Sequence, residues 1–550
     1  MAKCKVERCH HPVSELSLDG CCIFHTEAGK IKGYEKGKPV FIKPDERDEK
    51  SKGIVQEFVS QFSRLLEQRK NDKGILVCDE FIFPALIKQE WDEIWRPVKS
   101  GYIINLDFSV SFIGANFGGV AYFIGAKFGG EASFSEANFG GVAYFIRANF
   151  GGVANFSEAN FGGKAYFIGA KFGGEADFIG ANFGGEADFR WANFGGEAYF
   201  SWANFGGEAN FSNTIVNLRG IFRNAKFHKE ADFTNAIVKL LDFTRCEIFS
   251  FMRMRETNRM SDEQKEEIEN RIKELASPED KFSESEKSIL EWALKLVEEN
   301  VPPIILLRDL RFWENGHLIL EDFDVSLTSF WQTNFHIIRP RIDLIRVDWK
   351  DKVIIDDIFK RPKESENFTE ENKLIYGPIE SLNKRKQAEE IERCYRQIRL
   401  AYEARGEYPD AGDFYLLEMD ARKIKLNDVF LLCLHYLYAW VSNYGESISR
   451  AFGWLIGVFL VSTILFAFAG FSHQKETFRL LPQFDISNIL GTLKILLASS
   501  VAIINAITLG RMEIYAPENI WGSVIFYSAR IFGLIILTLL LLAIRRRFRR

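Results

Sequence analysis

The chain has 550 residues, 26% of them charged, and a formal net charge of -5. That length allows about two to four domains, and the near-neutral balance argues against a general nucleic-acid binder. Phe is over-used, with 51 copies against 16 Tyr and 11 Trp, and much of it recurs at fixed spacing.

Residues 1–30 carry charge and no apolar signal-type run, so a reducing cytoplasmic setting is expected. Four of the eight cysteines fall within the first 22 residues. Cys4, Cys9, Cys22 and His25 give C-x4-C-x12-C-x2-H. This is zinc-finger spacing, and with four ligands the role would be structural, because no position stays open for substrate. Cys21 could replace Cys22, and His10 and His11 could compete. Residues 51–102 are expected to form a helical and strand cap. Ile54, Val55, Phe58, Val59, Phe62, Leu65 and Leu66 share one helical face there, and a solenoid end needs its open edge covered.

Residues 103–248 hold the repeat. Phe falls at 112, 117, 123, 128, 134, 139, 145, 150, 156 and 161 and onward, with steps alternating five and six. Ala precedes almost every Phe by two, so the unit is A-x-F, a short strand with Ala and Phe inward and x outward. Gly-Gly after every second Phe supplies tight corners where φ is expected to be positive. SEANFGG occurs at 135 and 157, and IGAKFGGEA at 124 and 168. The echoes specify a four-sided coil of 22 residues, about six coils in a rod roughly 30 Å long. Outward columns follow: Asn116, Asn138, Asn160, Asn182 and Asn204; Tyr122, Tyr144 and Tyr166; Lys127, Asn149, Lys171 and Asn193. The Asn column reads as stacked amides on a solvated face. The Tyr column is the candidate contact for a protein partner.

Residues 249–300 are charge-rich and helical, a candidate insertion, and 301–360 return to short β-like runs, a candidate second solenoid section. Residues 386–424 read as a helical hairpin turning at Gly406, with Pro409 opening its second helix. Residues 451–544 read as a transmembrane hairpin: 451–471 carry no charge, and a second apolar run spans 522–544, interrupted by Arg530. Between them, 495–509 is short for a span and suits a re-entrant helix. The basic tail 545–550 predicts a cytoplasmic C-terminus, and two spans place both termini there, in a multi-pass protein of the cell membrane.

The A-x-F units resemble the pentapeptide-repeat family, whose motif is A-(D/N)-L-x-x with Phe often replacing Leu. The resemblance covers about a quarter of the chain. It implies a right-handed quadrilateral β-helix, so the fold class is mainly β with helical insertions and a two-helix membrane hairpin. It also implies roles in protein binding. DNA mimicry, one family role, needs a strongly acidic surface, whereas Glu175, Asp177, Glu186 and Asp188 are offset by Lys127, Lys164, Lys171 and Arg190. The C-terminal layout resembles two-helix pore-loop cation channels. There Thr508-Leu509-Gly510-Arg511-Met512 falls where a potassium filter would continue T-x-G-Y-G, and a cation replaces the carbonyl path.

No Walker A loop, H-E-x-x-H or G-x-S-x-G is present in the sequence. The expectation is a non-enzymatic, membrane-anchored scaffold with an unidentified protein partner, capable of homo-oligomer formation. The alternative is an ion-channel subunit with an atypical filter, not potassium-selective, in which Thr508, Gly510, Arg511 and Arg530 matter.

Overall fold

The computed structural model describes residues 49–549 apart from 73–75, 79–81, 84–87, 96–98, 101–102, 261, 276–280, 300, 336–340, 350–355, 358–359, 361–381, 474–475, 481–488 and 509–515. The chain divides into two compact units, 1–381 and 382–550.

In the first unit each A-x-F stretch is a two-residue strand with its Phe inward, and strands 22 residues apart pair in parallel. Asn138 lies on Asn116 and Asn160, and Tyr144 on Tyr122 and Tyr166. Four sides result. The Asn side and the Tyr side each run nine strands among the described residues. The Lys side and the Ser side (Ser111, Ser133) share one sheet, because the strand Ile215–Ile221 passes through the corner between them. The rod is therefore longer than the expected six coils. Coils beyond Ile237 continue the same stack past the helical insertion: Ile304–Leu306 pairs with Leu240–Asp242, and Ile342–Ile345 with Leu318–Glu321.

Inside, the Phe rings form columns along the axis. Phe139 and Phe161 stack at 4.8 Å and 2°, while neighbouring columns meet edge to face, as Phe156 and Phe167 do at 5.4 Å and 86°. These rings and the Ala between them are fully buried. Each buried Phe contributes about 1.5–3 kcal/mol, so the ring columns dominate the stability of the repeat.

The Gly-Gly corners differ from expectation. Positive φ recurs every eleven residues in the other two corners, at Gly114, Gly125, Glu136, Arg147, Glu158, Gly169, Gly180, Trp191 and Trp202. The Gly-Gly pairs are needed for space instead. A Cβ on Gly185 would lie 2.6 Å from the Gly163 carbonyl oxygen, whereas one on Gly184 would meet nothing closer than 3.4 Å. Coils touch backbone to backbone at the second glycine.

At the N-terminal end, Leu76–Val77 and Ile82–Phe83 already pair with Val110–Ser111 and Asn116–Phe117. The helix Lys88–Trp95 closes the Tyr side: Trp91 Nε1–H donates to the Val120 carbonyl at 2.7 Å and Trp95 Nε1–H to Tyr122 at 3.1 Å. Phe58 and Phe62 of the helix Glu49–Asp72 pack on Phe83.

The second unit opens with the helices Lys384–Arg405 and Tyr408–Ile424. Asn383 caps the first, Gly406 ends it at φ 78°, and Pro409 lies in the first turn of the second. Buried Glu418 accepts from Arg396 and Arg399, and buried Glu392 accepts from Arg396 and forms an ion pair with Lys425. The apolar helices Ile448–Ala469, Ile489–Ile507 and Ile520–Arg549 pack around Phe466, Ile503, Ala506, Phe526 and Ala529. The short strands Phe471–His473, Glu476–Phe478 and Ala516–Pro517 join the far ends of the outer two helices. The middle helix begins at Ile489, not 495. Lys494 lies within it, its ammonium 5.8 Å from the Phe478 ring.

Candidate functional site

The regular stack is interrupted on the Lys side. After the strand Phe251–Arg255 the chain leaves the coil, and the helices Asp262–Glu274 and Lys281–Glu298 stand where a strand belongs. Asn258 covers the edge this exposes. Its side chain accepts from the Val238 N–H at 2.7 Å and donates to the carbonyls of Val238 at 3.0 Å and Val301 at 3.2 Å. One amide thereby satisfies strand groups that burial would otherwise leave unpaired.

Both helices fold back over the Lys side. Arg271 and Lys273 sit in the last turn of the first, where the helix dipole favours cations. Ile289, Leu290, Ala293 and Leu296 form the apolar stripe of the second, and they bury Ile215 and Ile237. Ile289 reaches over Gly195, where a Cβ would come within 2.6 Å of its Cδ1. The outward column thus changes from Lys127, Asn149, Lys171 and Asn193 to Ile215 and Ile237 beneath the helices. That change is the sequence signal of a cover, and column reasoning that stopped at Asn193 missed it.

At the margin of the cover lies a charged cluster. Glu286 accepts from Arg271 Nε at 2.8 Å and Nη2 at 3.1 Å, and from the Lys171 ammonium. Burial alone would push the Glu286 carboxyl up; Arg271 and Lys171 together hold it below the usual carboxylate range. Burial pulls the Lys171 ammonium down by more than the Glu286 contact restores. Arg271 and Lys171 thus share the Glu286 carboxylate, Arg271 through two hydrogen bonds and Lys171 through one. Beside the cluster opens a groove of about 1010 Å³, floored by the corner residues Arg147, Gly169 and Trp191 and walled by Glu266, Asn270 and Glu274.

On the Asn side, the amides of Asn116, Asn138, Asn160, Asn182 and Asn204 hydrogen-bond in sequence at 2.7–3.2 Å, and His228 extends the ladder from Asn204 at 2.9 Å. Tyr122, Tyr144 and Tyr166 stack at 5.2 and 5.5 Å and are half-buried. Burial pushes the Tyr144 hydroxyl up, and its two tyrosine neighbours add to this. The column ends at Asp188, buried under Arg190.

Cys4, Cys9, Cys22 and His25 lie outside the described residues, as do Leu509, Gly510, Arg511 and Met512. Thr508 is exposed just past the middle apolar helix, its hydroxyl donating to the Ile504 carbonyl at 2.7 Å. Arg530 is half-buried within the helix Ile520–Arg549. Among the described residues two helices, Ile448–Ala469 and Ile520–Arg545, are long and apolar enough to cross a membrane. Among the described residues no group of three or more His, Cys, Asp or Glu is arranged to hold a metal.

Residues 104–148, 145–192, 178–217 and 192–237 match the family model described as Pentapeptide repeats (9 copies). The chain is 27% identical over 191 residues to the Uncharacterized protein MJ1147 of Methanocaldococcus jannaschii, a match covering 33% of this chain and 39% of that protein. The chain thus spans about two fifths of that relative's length. No solved structure matches the chain significantly.

Proposed function

We propose that this pentapeptide-repeat protein is a non-enzymatic, membrane-anchored scaffold whose solenoid presents its outward columns to a protein partner. The observation that carries the reading is the union, in one chain, of an unbroken ladder of outward side chains with two helices of membrane-crossing length. A rigid strand lattice presents side chains at about 4.8 Å intervals without an ordering cost at binding. The half-buried Tyr122–Tyr144–Tyr166 stack offers flat aromatic area of the kind that anchors interfaces. The helices Ile448–Ala469 and Ile520–Arg545 supply the anchor, and the basic end of the chain orients it, with both termini cytoplasmic. In that compartment Cys4, Cys9, Cys22 and His25 would hold a structural zinc. No observation among the described residues favours ion conduction.

Two measurements on the full chain in native membranes test the proposal. Alkaline carbonate should leave the protein in the membrane pellet, and a photoreactive residue replacing Tyr144 should crosslink a reproducible protein species. Release into the supernatant refutes the anchor. Retention with no crosslinked species from Tyr144 or the Asn side refutes the scaffold.

A further inference from the structure

The helix Val429–Ser442 is built inside out. Asp428 caps its start, and its 14 residues contain one basic group, His435. A helix in water turns its polar residues outward. Here His435 and Ser442 are buried, His435 within 3.0 Å of the Met419 carbonyl oxygen, while the opposite arc is exposed. At about 100° per residue, Val429, Phe430, Cys433, Leu434, Tyr436 and Trp440 share that arc; Val441 falls in it too but is buried, and Leu431, 48% exposed, flanks it. Val429, Phe430 and Trp440 are 74%, 69% and 63% exposed, and no charge interrupts them.

We infer that Val429–Ser442 lies flat in the boundary between lipid headgroups and acyl chains, its apolar arc buried in the bilayer. The inference rests on the membrane-anchor reading above. A helix this long measures about 21 Å, short of the roughly 30 Å hydrocarbon core, so it is suited to lie along a membrane and not to cross it. Five residues, 443–447, separate it from the span Ile448–Ala469, and Trp440 packs on Trp454 of that span with ring centroids 4.1 Å apart. Its arc is thus continuous with the surface that the span presents to lipid. The composition fits the boundary: Tyr436 and Trp440 have apolar rings with polar edges, and cations flank them. Lys423 stands 5.0 Å over the Tyr436 ring, and Arg450 is exposed in the first turn of the span. Such a face matches anionic headgroups above acyl chains.

Depth measurement on the full chain in vesicles of phosphatidylcholine and phosphatidylglycerol tests this. A nitroxide carried on p-acetylphenylalanine replaces Leu434 in one variant and Ile456, exposed on the span, in another; the native cysteines stay untouched. Collision with oxygen against a water-soluble nickel chelate gives depth. The expected result is a shallow position for the 434 label, roughly 5–10 Å below the headgroups, and a deeper one for 456. If 434 collides with nickel as freely as in water while 456 is deep, the inference fails and the anchor stands. Protection of 434 from both reagents means protein covers the arc, such as a second copy, and also overturns it. If 456 itself is in water, the anchor reading falls with it.

Discussion

The coils before Phe211 and those after Ile215 stack in one solenoid but are stabilised differently. From Phe112 to Phe211 every inward position is Ala or Phe, the register is 22 residues, and the second glycine of each pair lets backbones touch. In the second group Ile, Leu, Val and Met replace several of the rings. The register contracts by one residue across Val216–Arg219, and one side is given over to two helices. The regular coils are stable by repetition, so any one of them resembles its neighbours. The later coils each depend on particular contacts, which frees their outer surface to vary. The difference teaches that regularity marks the frame and departure from it marks where the molecule has built something on the frame.

The largest test of this contrast is a cavity in each group. Phe161→Ala removes a ring stacked between Phe139 and Phe183 and should cost about 3–5 kcal/mol. In a quasi-one-dimensional array the damage should pass to the coils on both sides. Leu320→Ala, buried near the far end of the stack, should cost about 2–4 kcal/mol and loosen only the last strands. Hydrogen exchange on the full chain reads both. Equal spread from the two sites would break the distinction.

A smaller effect separates the two glycines of one corner. Gly185→Ala places a methyl 2.6 Å from backbone that has nowhere to move, whereas Gly184→Ala meets its neighbour at 3.4 Å. The first should lower stability by about 1–3 kcal/mol and the second by much less, read as the shift in the thermal midpoint. The later coils avoid this constraint. Where the pair would recur, Asn217 and Leu218 lie within the continuous strand Ile215–Ile221. If both alanines are tolerated equally, close backbone approach does not explain why the pairs recur.

The regular coils were legible in the sequence because their period is the fold. The echoes at 135 and 157 fixed the register later seen between Asn138 and Asn160. Which corner carries positive φ was not legible. Glycine is the usual marker of that conformation, but here Glu136, Arg147, Trp191 and Trp202 adopt it, while the paired glycines answer a steric demand between coils. The docking of the helices Asp262–Glu274 and Lys281–Glu298 was equally hidden, since a helical pattern announces an apolar stripe without saying which face receives it. Ile215 and Ile237, outward and apolar in an otherwise polar column, were the available clue. The first turn of the middle apolar helix is hidden because a lone charge, Lys494, interrupts the apolar run ahead of 495, while the structure packs its long side chain toward the Phe478 ring.

The smallest effect concerns the seam between the two groups, where Glu286 meets Arg271 and Lys171. Apolar burial of Ile215, Ile237, Ile289 and Leu290 holds the helices down, and a buried ion pair adds little beyond it. The two cations nonetheless differ. Arg271→Met leaves Glu286 buried with the single hydrogen bond from Lys171 and should loosen the cover by about 1–2 kcal/mol, a figure reduced because Arg271 is 40% exposed. Lys171→Met leaves Glu286 its two hydrogen bonds from Arg271 and should cost less than Arg271→Met. Acid supplies the sign. The Glu286 carboxyl is held below its ordinary value of 4.5, so its contribution is present above that value and disappears as pH falls through the lower, folded one. Exchange in 262–298 should accelerate below about pH 4.5 relative to the Phe-stacked coils, and Glu286→Gln should remove that pH dependence. If the variant keeps it, another carboxylate governs the seam, and the ion cluster is only a passenger on the apolar contact.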